Sequence, residues 1–499
     1  MMMKISWIKV AAGGIRGRAE GLSRIMSVLC LALFTAVCVA GESTKSENVS
    51  AGITAATDWR EDYAYIVGMQ AYIYGYPALL YARNRYHMVE DPTGIIDTPI
   101  NSFFHVRRLS DSNDKYSAST NNDTIYSVAW IDLRDEPMVM HAPQGDGRYI
   151  DVELADFYSD LFGYVSPHMH DGKAITYLIV GPDWSGPIPE GQFDGVHRSP
   201  TPWVFAVGRV YTSGGDDLAT ALDIQSQLDL APLSQWNSGV RKASTARDVL
   251  DMHSAKEDPL ADFRTMNAAM RENPPPERDA ALMREFARVG LGPLADVSLD
   301  DLDEQTRKGL QRALMDGNTL LDKLADAGGD TKVVNNWFYG DKNWGRMAER
   351  GDFLGRASPQ AYAGLIEHWV EMAAKLRTFT DAEGHALNGN NRYLLRFEKD
   401  QVPTARAFWS ITVYDDKFNL AENDFNKYLV SSTSKDLVYG EDGSLEIYLQ
   451  QEQPDQALRA NWIPLPKGDF NLFFRFYLPN QSMIDQTYEP PPVRRVTYR

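Results

Sequence analysis

The chain has 499 residues, of which 43% are hydrophobic and 24% charged, and its formal net charge is −18. Those proportions exclude bulk disorder and leave room for two or three cores of ordinary domain size. The acidic balance argues against nucleic acid and anionic membrane surfaces as partners.

The first forty residues stand apart. Lys4, Lys9, Arg16, Arg18 and Arg24 make a basic leader, and residues 25–40 form an apolar run too short to span a bilayer comfortably. Small residues, Cys38 and Ala40, end the run before Gly41 and Glu42 turn polar. This pattern predicts a signal peptide over 1–40 and a periplasmic or secreted protein; an uncleaved N-terminal anchor is the alternative. Cleavage after Ala40 would remove both cysteines, Cys30 and Cys38, so the mature chain would be stabilised by burial without disulfides. No later apolar run has transmembrane length, so the mature chain should carry no membrane span.

Residues 41–57 are small and polar and read as a flexible lead-in. From Asp58, Tyr65, Met69, Tyr72 and Ile73 recur at helical spacing up to Pro77. Between about 98 and 212 the texture is β. Short runs at 127–133, 138–141, 149–154, 174–180 and 203–211 are rich in Val, Ile, Tyr and Trp and bounded by Gly and Pro turns. Helical patterns follow at 218–230, 262–271, 277–289 and 302–324. Ser358 and Pro359 are good start chemistry for one more helix, to about 376. The β texture then returns at 393–397, 408–414, 444–449 and 470–478. The expected fold is mainly β with helices (α+β): two β-sandwich or jelly-roll-like domains, at 58–215 and 358–499, joined by a mainly helical segment at 216–357.

Several chemistries have no foothold. There is no GxSxG elbow, Walker loop, GxGxxG after a strand, HExxH or CxxC. No motif specifies a cofactor. His168 and His170 would share a strand face and could hold one metal ion, or could be two surface histidines in a loop after Pro167. Asp151 and Glu153 would also share a strand face, as an acid–base pair, as hard-ion ligands, or as a solvated face. Glu367 and Glu371 read as surface positions on the helix from Ser358. Residues 117–126 are a dense string of short polar side chains just before a strand. They either cap turns or present Asn121, Asp123 and Thr124 into a cleft.

That string resembles a known family. Asn121, Asn122, Asp123, Thr124, Ile125, Tyr126 and Ser127, then Ala129, Trp130, Ile131, Asp132 and Leu133, are similar to the signature of domain-of-unknown-function family 1254. Arg148 with Tyr149, Asp156 to Tyr158, and Gly208 with Arg209 follow in the expected order. The C-terminal part resembles family 1214, through Phe408 to Tyr414, Asp442 to Leu445, Asn461 to Pro464, and Arg475 to Tyr477. The resemblance implies two β-rich domains, the second jelly-roll-like, with helices between, and it assigns no activity. Trp344 to Met347 and Pro403 with Thr404 depart from the expected pattern, which concerns local geometry.

Three readings of function remain open. The first is binding or processing of a small polar or amphiphilic molecule in the envelope. Asp123 would be the acid or base, with Asn121, Thr124, Tyr126 and Tyr158 orienting the substrate and Asn461, Trp462 and Arg475 contributing from the C-terminal half. The second is a non-catalytic envelope protein that binds glycan, lipid or a partner protein. The third is a metal-dependent enzyme built on His168 and His170. Assembly into a homo-oligomer would add burial, and nothing in the sequence specifies a subunit number.

Overall fold

A computed structural model describes residues 58–496, apart from 92–93, 116–118, 248, 251, 253, 255 and 328–330. The leader, the lead-in and part of the polar string lie outside the described residues.

The first described element is α1 (Trp59–Val89). Asp58 caps it by accepting the Arg60 amide at 2.8 Å, and Glu61 and Asp62 suit its first turn. The helix runs on through Pro77, where the sequence pattern stops. A proline removes one backbone bond, and burial of Tyr74, Ala78, Leu79, Tyr81 and Ala82 on both sides of it offsets the loss.

Eight strands follow: β1 (Phe104–His105), β2 (Thr124–Asp132), β3 (Met138–Ala142), β4 (Ile150–Ala155), β5 (Leu161–Val165), β6 (Ile175–Val180), β7 (Gly195–Arg198) and β8 (Trp203–Tyr211). The block expected to be helical opens with α2 (Asp217–Gln225) and then returns to a strand, β9 (Asp229–Pro232). Helices α3 (Leu233–Ser238), α4 (Ala261–Glu272), α5 (Ala280–Ala287) and α6 (Glu304–Ala327) come next, then β10 (Val333–Val334) and β11 (Trp337–Tyr339). The C-terminal strands are β12 (Ala373–Thr378), β13 (Arg392–Phe397), β14 (Ala405–Asp415), β15 (Leu429–Ser431), β16 (Leu445–Gln450), β17 (Trp462–Pro464), β18 (Phe470–Pro479) and β19 (Arg494–Val496).

The strands build two sandwiches. In the first, the sheet β1-β2-β8-β4-β5 faces the sheet β7-β6-β3-β9 across a core of Ile131, Met140, Val152, Leu154, Ile179 and Val204. In the second, β10-β11-β12-β18-β14-β15 faces β17-β16-β13-β19 across Leu376, Leu395, Trp409, Ile447, Phe474 and Phe476. The fold is therefore α+β and mainly β. The helices cover part of the outer face of the first sandwich: Tyr81 of α1 lies 5.5 Å from Trp130 and 5.6 Å from Phe205, ring to ring. The rest of that face meets the outer face of the second sandwich.

One expected helix is absent. Residues 358–376 do not form a continuous helix; a π-helical segment (Arg356–Tyr362) gives way to loop and then to β12. Ser358 is not a cap. It is buried and donates its hydroxyl to the Leu321 carbonyl of α6 at 2.6 Å. Residues 373–378 alternate between partly and fully buried positions, the period of a strand, and β18 supplies the partner.

Candidate active site between the two sandwiches

Strand register assembles the site. Tyr126 of β2 pairs with Arg209 of β8, which pairs with Asp151 of β4, so the three lie in one row on the outer face. The next row on the same face holds Val207, Glu153 and Tyr164. Alternate residues on β4, Ile150, Val152 and Leu154, point into hydrophobic packing instead. The same alternation shapes the opposing sheet. On its outer face Lys375, Arg475 and Ser410 form one row across β12, β18 and β14, flanked by Ala373, Tyr477 and Phe408 and by Arg377, Phe473 and Thr412.

Asp151 and Glu153 are fully buried, which corrects the solvated-face reading. Arg209 Nη1 lies 2.5 Å from Glu153 Oε1 and 3.7 Å from Asp151 Oδ2. Tyr149 donates its hydroxyl to Asp151 Oδ2 at 3.2 Å. His368, from the loop before β12, brings Nδ1 to 3.1 Å from Glu153 Oε2 and 3.2 Å from the Tyr164 hydroxyl. Yet both Glu153 oxygens, Asp151 Oδ1 and His368 Nε2 lack an aligned hydrogen bond, although all four are buried. Native interiors seldom leave such groups unsatisfied, and a concentration of them marks a place where function outweighs stability. His368 keeps 14% of its side-chain surface accessible.

Burial sets the protonation states. It pushes the Glu153 carboxyl up to about 8 and that of Asp151 up to about 6, against the pull of Arg209. Burial, with the charges of Arg209, Lys375 and Arg475, holds His368 well below its ordinary value. Burial thus favours a proton on the Asp151–Glu153 pair, beside a neutral imidazole and the Arg209 guanidinium. Asp151, Glu153 and His368 could each offer a metal ion one ligand atom within 4.8 Å of the others. Arg209 already places positive charge among the two carboxylates, which disfavours a divalent cation there. The grouping of Asp381, Glu383 and His385 is a turn, with Asp381 Oδ1 accepting the Glu383 and His385 amides.

The polar string reaches the same interface. Asp123 is buried; its Oδ2 accepts from the Ser410 hydroxyl at 2.6 Å, and its Oδ1 has no hydrogen bond. Asn121 donates to the Tyr477 hydroxyl at 2.5 Å and to Thr124 Oγ1 at 3.4 Å. Arg475 donates to the Tyr414 hydroxyl at 2.8 Å and the Ser119 carbonyl at 2.7 Å, both neutral partners. Tyr126 lies under the Arg209 guanidinium at 5.6 Å. The Tyr477 ring joins the two clusters, 4.9 Å from Tyr149 and 6.4 Å from His368.

Other expected site residues lie elsewhere. Tyr158 donates to the Asn273 carbonyl at 2.8 Å and packs beside Tyr74 and Arg356. Asn461 ties Val438 and Glu446 together through their carbonyls, and Trp462 bonds the Gln450 carbonyl. His168 lies within a 3-10 turn (Pro167–Met169) and His170 ends it, so neither is on a strand; the His168 ring stacks on Tyr149 and the His170 ring meets Tyr177 edge-on. Glu367 is not on a helical surface: it is buried and holds Lys375 Nζ at 2.5 Å. Glu371 is exposed and pairs with Arg346 at 2.7 Å. Sequence reasoning missed His368, Lys375, Arg377, Ser410 and Tyr477 as site residues. Only the alternation on β12, β14 and β18 could have put four of them on one face, and nothing local marks His368.

Residues 100–232 match the family model DUF1254, a protein of unknown function, and residues 372–481 match DUF1214, likewise of unknown function. The chain thus carries a region similar to DUF1254 followed by a region similar to DUF1214. Asp123, Asp151, Glu153 and Arg209 belong to the DUF1254 part, and Lys375, Arg475 and Tyr477 to the DUF1214 part. Among solved structures, the VPA0106 protein of Vibrio parahaemolyticus shares the fold, with a TM-score of 0.68 and 21% identity over 87% of this chain and 100% of that one. An uncharacterized protein from Burkholderia cenocepacia aligns over 88% of this chain and 96% of its own, at 13% identity and a TM-score of 0.44. No curated protein matches the chain.

Proposed function

We propose that this protein is an acid–base enzyme acting on a small polar or amphiphilic molecule between its two sandwiches. The observation that carries the reading is Glu153 Oε2 at 3.1 Å from His368 Nδ1, the carboxyl fully buried, the imidazole partly so, and both with hydrogen-bonding capacity left over. Glu153 is the proton donor and His368 the acceptor; Arg209 and Asp151 fix the charge around them. The chemistry open to this pair is proton transfer of the kind used in hydrolysis, elimination or isomerisation. Asp123, the acid or base expected from sequence, becomes a positioning group that links β14 to the start of β2 through Ser410. The basic leader and the apolar run at 25–40 support action in the periplasm or outside the cell.

The test needs no substrate to begin. Infrared difference spectra of the wild type across pH should show a carboxylic-acid band that ionises near the upper value given for Glu153, about 8, and is missing from Glu153→Gln. In a substrate screen, Glu153→Gln should lower turnover by about 100-fold or more while the fold is retained. A variant with unchanged spectra and unchanged turnover would sink the reading.

A further inference from the structure

The two faces that meet at the site carry different charges. The face of the first sandwich holds Asp151, Glu153 and Arg209. The face of the second holds Lys375, Arg377 and Arg475 on adjacent strands, with Lys375 directly opposite Arg475 in the register. Two of these cations lack a hydrogen-bonded carboxylate. Arg475 bonds only the Tyr414 hydroxyl and the Ser119 carbonyl. Arg377 is half-buried, and its side chain has no hydrogen bond or ion pair among the described residues; it lies 5.7 Å over the Phe379 ring. Lys375 is paired with Glu367, lies 4.6 Å over the Trp344 ring, and keeps 27% of its side chain accessible.

On this face Lys375, Arg377 and Arg475 stand close together on adjacent strands, and only Lys375 is hydrogen-bonded to a carboxylate, Glu367. Cations that crowd one another in a buried place are costly: burial depresses Lys375 first, and Arg475 and Arg377 add to it. An anion placed between the faces relieves that cost, and a guanidinium or ammonium gives a carboxylate strong, charge-assisted hydrogen bonds.

We infer that the ligand of this site is a small organic carboxylate, its anionic group held by Lys375, Arg377 and Arg475 and its body turned toward Glu153 and His368. Aromatic rings of Tyr126, Tyr477 and Phe408 supply the walls for an apolar body. The assignment rests on the acid–base reading only for the ligand's orientation; the sign of its charge comes from the lining itself.

The experiment is calorimetric titration of the full chain at constant ionic strength with matched pairs of probes: acetate with acetamide, benzoate with benzamide, and phenylacetate with phenylacetamide. At least one acid should bind, and its amide should bind at least tenfold more weakly. Lys375→Met alone would strand Glu367, so the double variant Lys375→Met/Glu367→Gln removes the pair together; Arg377→Gln tests the half-buried position. Arg377→Gln should weaken the acid by about tenfold. In the double variant the acid–amide preference should shrink, because the ammonium donor is gone. The inference is overturned if no acid binds, if an amide binds as tightly as its acid, or if both variants bind the acid as the wild type does. Acid binding that survives in Glu153→Gln with full turnover would remove the acid–base reading and leave this one standing.

Discussion

Glu153 shows how far burial can move one residue. Its carboxyl binds its proton more tightly in the folded chain, at about 8, than in the unfolded chain, near 4.5. A raised acid contributes stability that is fully present below 4.5 and is lost as pH climbs through about 8. Asp151 acts in the same direction between 3.8 and about 6. Glu153→Gln cannot ionise. The stability of the wild type minus that of the variant should therefore fall as pH rises over the Glu153 window, by the order of a few kcal/mol. Thermal unfolding of both proteins across pH measures it, and parallel curves would show that Glu153 titrates normally. Tyr477 gives a second residue-scale test. Tyr477→Phe removes the acceptor for Asn121, whose remaining partner, Thr124 Oγ1, is at 3.4 Å. A loss of about 1–3 kcal/mol is expected in chemical denaturation.

At the scale of elements, close approach decides more than propensity. Gly309 of α6 sits against α1: a Cβ there would lie 2.2 Å from the Glu61 carbonyl oxygen and 2.8 Å from the Ala64 Cβ. Alanine would favour the isolated helix by about 1 kcal/mol. The clash with backbone outweighs that gain, so Gly309→Ala should destabilise the protein by about 1–3 kcal/mol in urea unfolding. A stabilised variant would mean that the helices can part at no cost. The same priority of tertiary packing explains the sequence misreadings. Strands such as Trp203–Tyr211 were legible because alternation and bounding turns agree. The stretch from Ser358 offered good helix-start chemistry, but its serine bonds the Leu321 carbonyl of α6 and its end, from Ala373, pairs with β18. Strand β5, with Gly163 in its middle, carries too weak a β signature to stand out.

On the scale of the whole molecule, the largest apolar core ignores the boundary between the two family matches. It joins Tyr81 of α1, Trp130 and Phe205 of the first sandwich, Phe263 and Phe286 of the helices, and Phe408 and Tyr477 of the second sandwich. Polar contacts cross the same boundary, including Ser410 to Asp123 and Arg475 to Ser119. The expectation is one cooperative calorimetric transition for the protein, with calorimetric and van't Hoff enthalpies in agreement. Two resolved transitions would show that the sandwiches are stable apart and would weaken any site built from both.

The sequence by itself determined the α+β class, the two family resemblances, most strand positions and the polar string at 121–126, because strand period and turn chemistry are local properties. It also put Asp151 and Glu153 on one face, without saying what that face meets. Only the tertiary structure decided that this face is buried and that Arg209 and His368 close on it. It alone set the cationic rows of β12 and β18 opposite. Those facts depend on pairing between residues as far apart as Asp123 and Ser410, and no local pattern in the chain encodes the dielectric around a carboxylate or the partner across an interface.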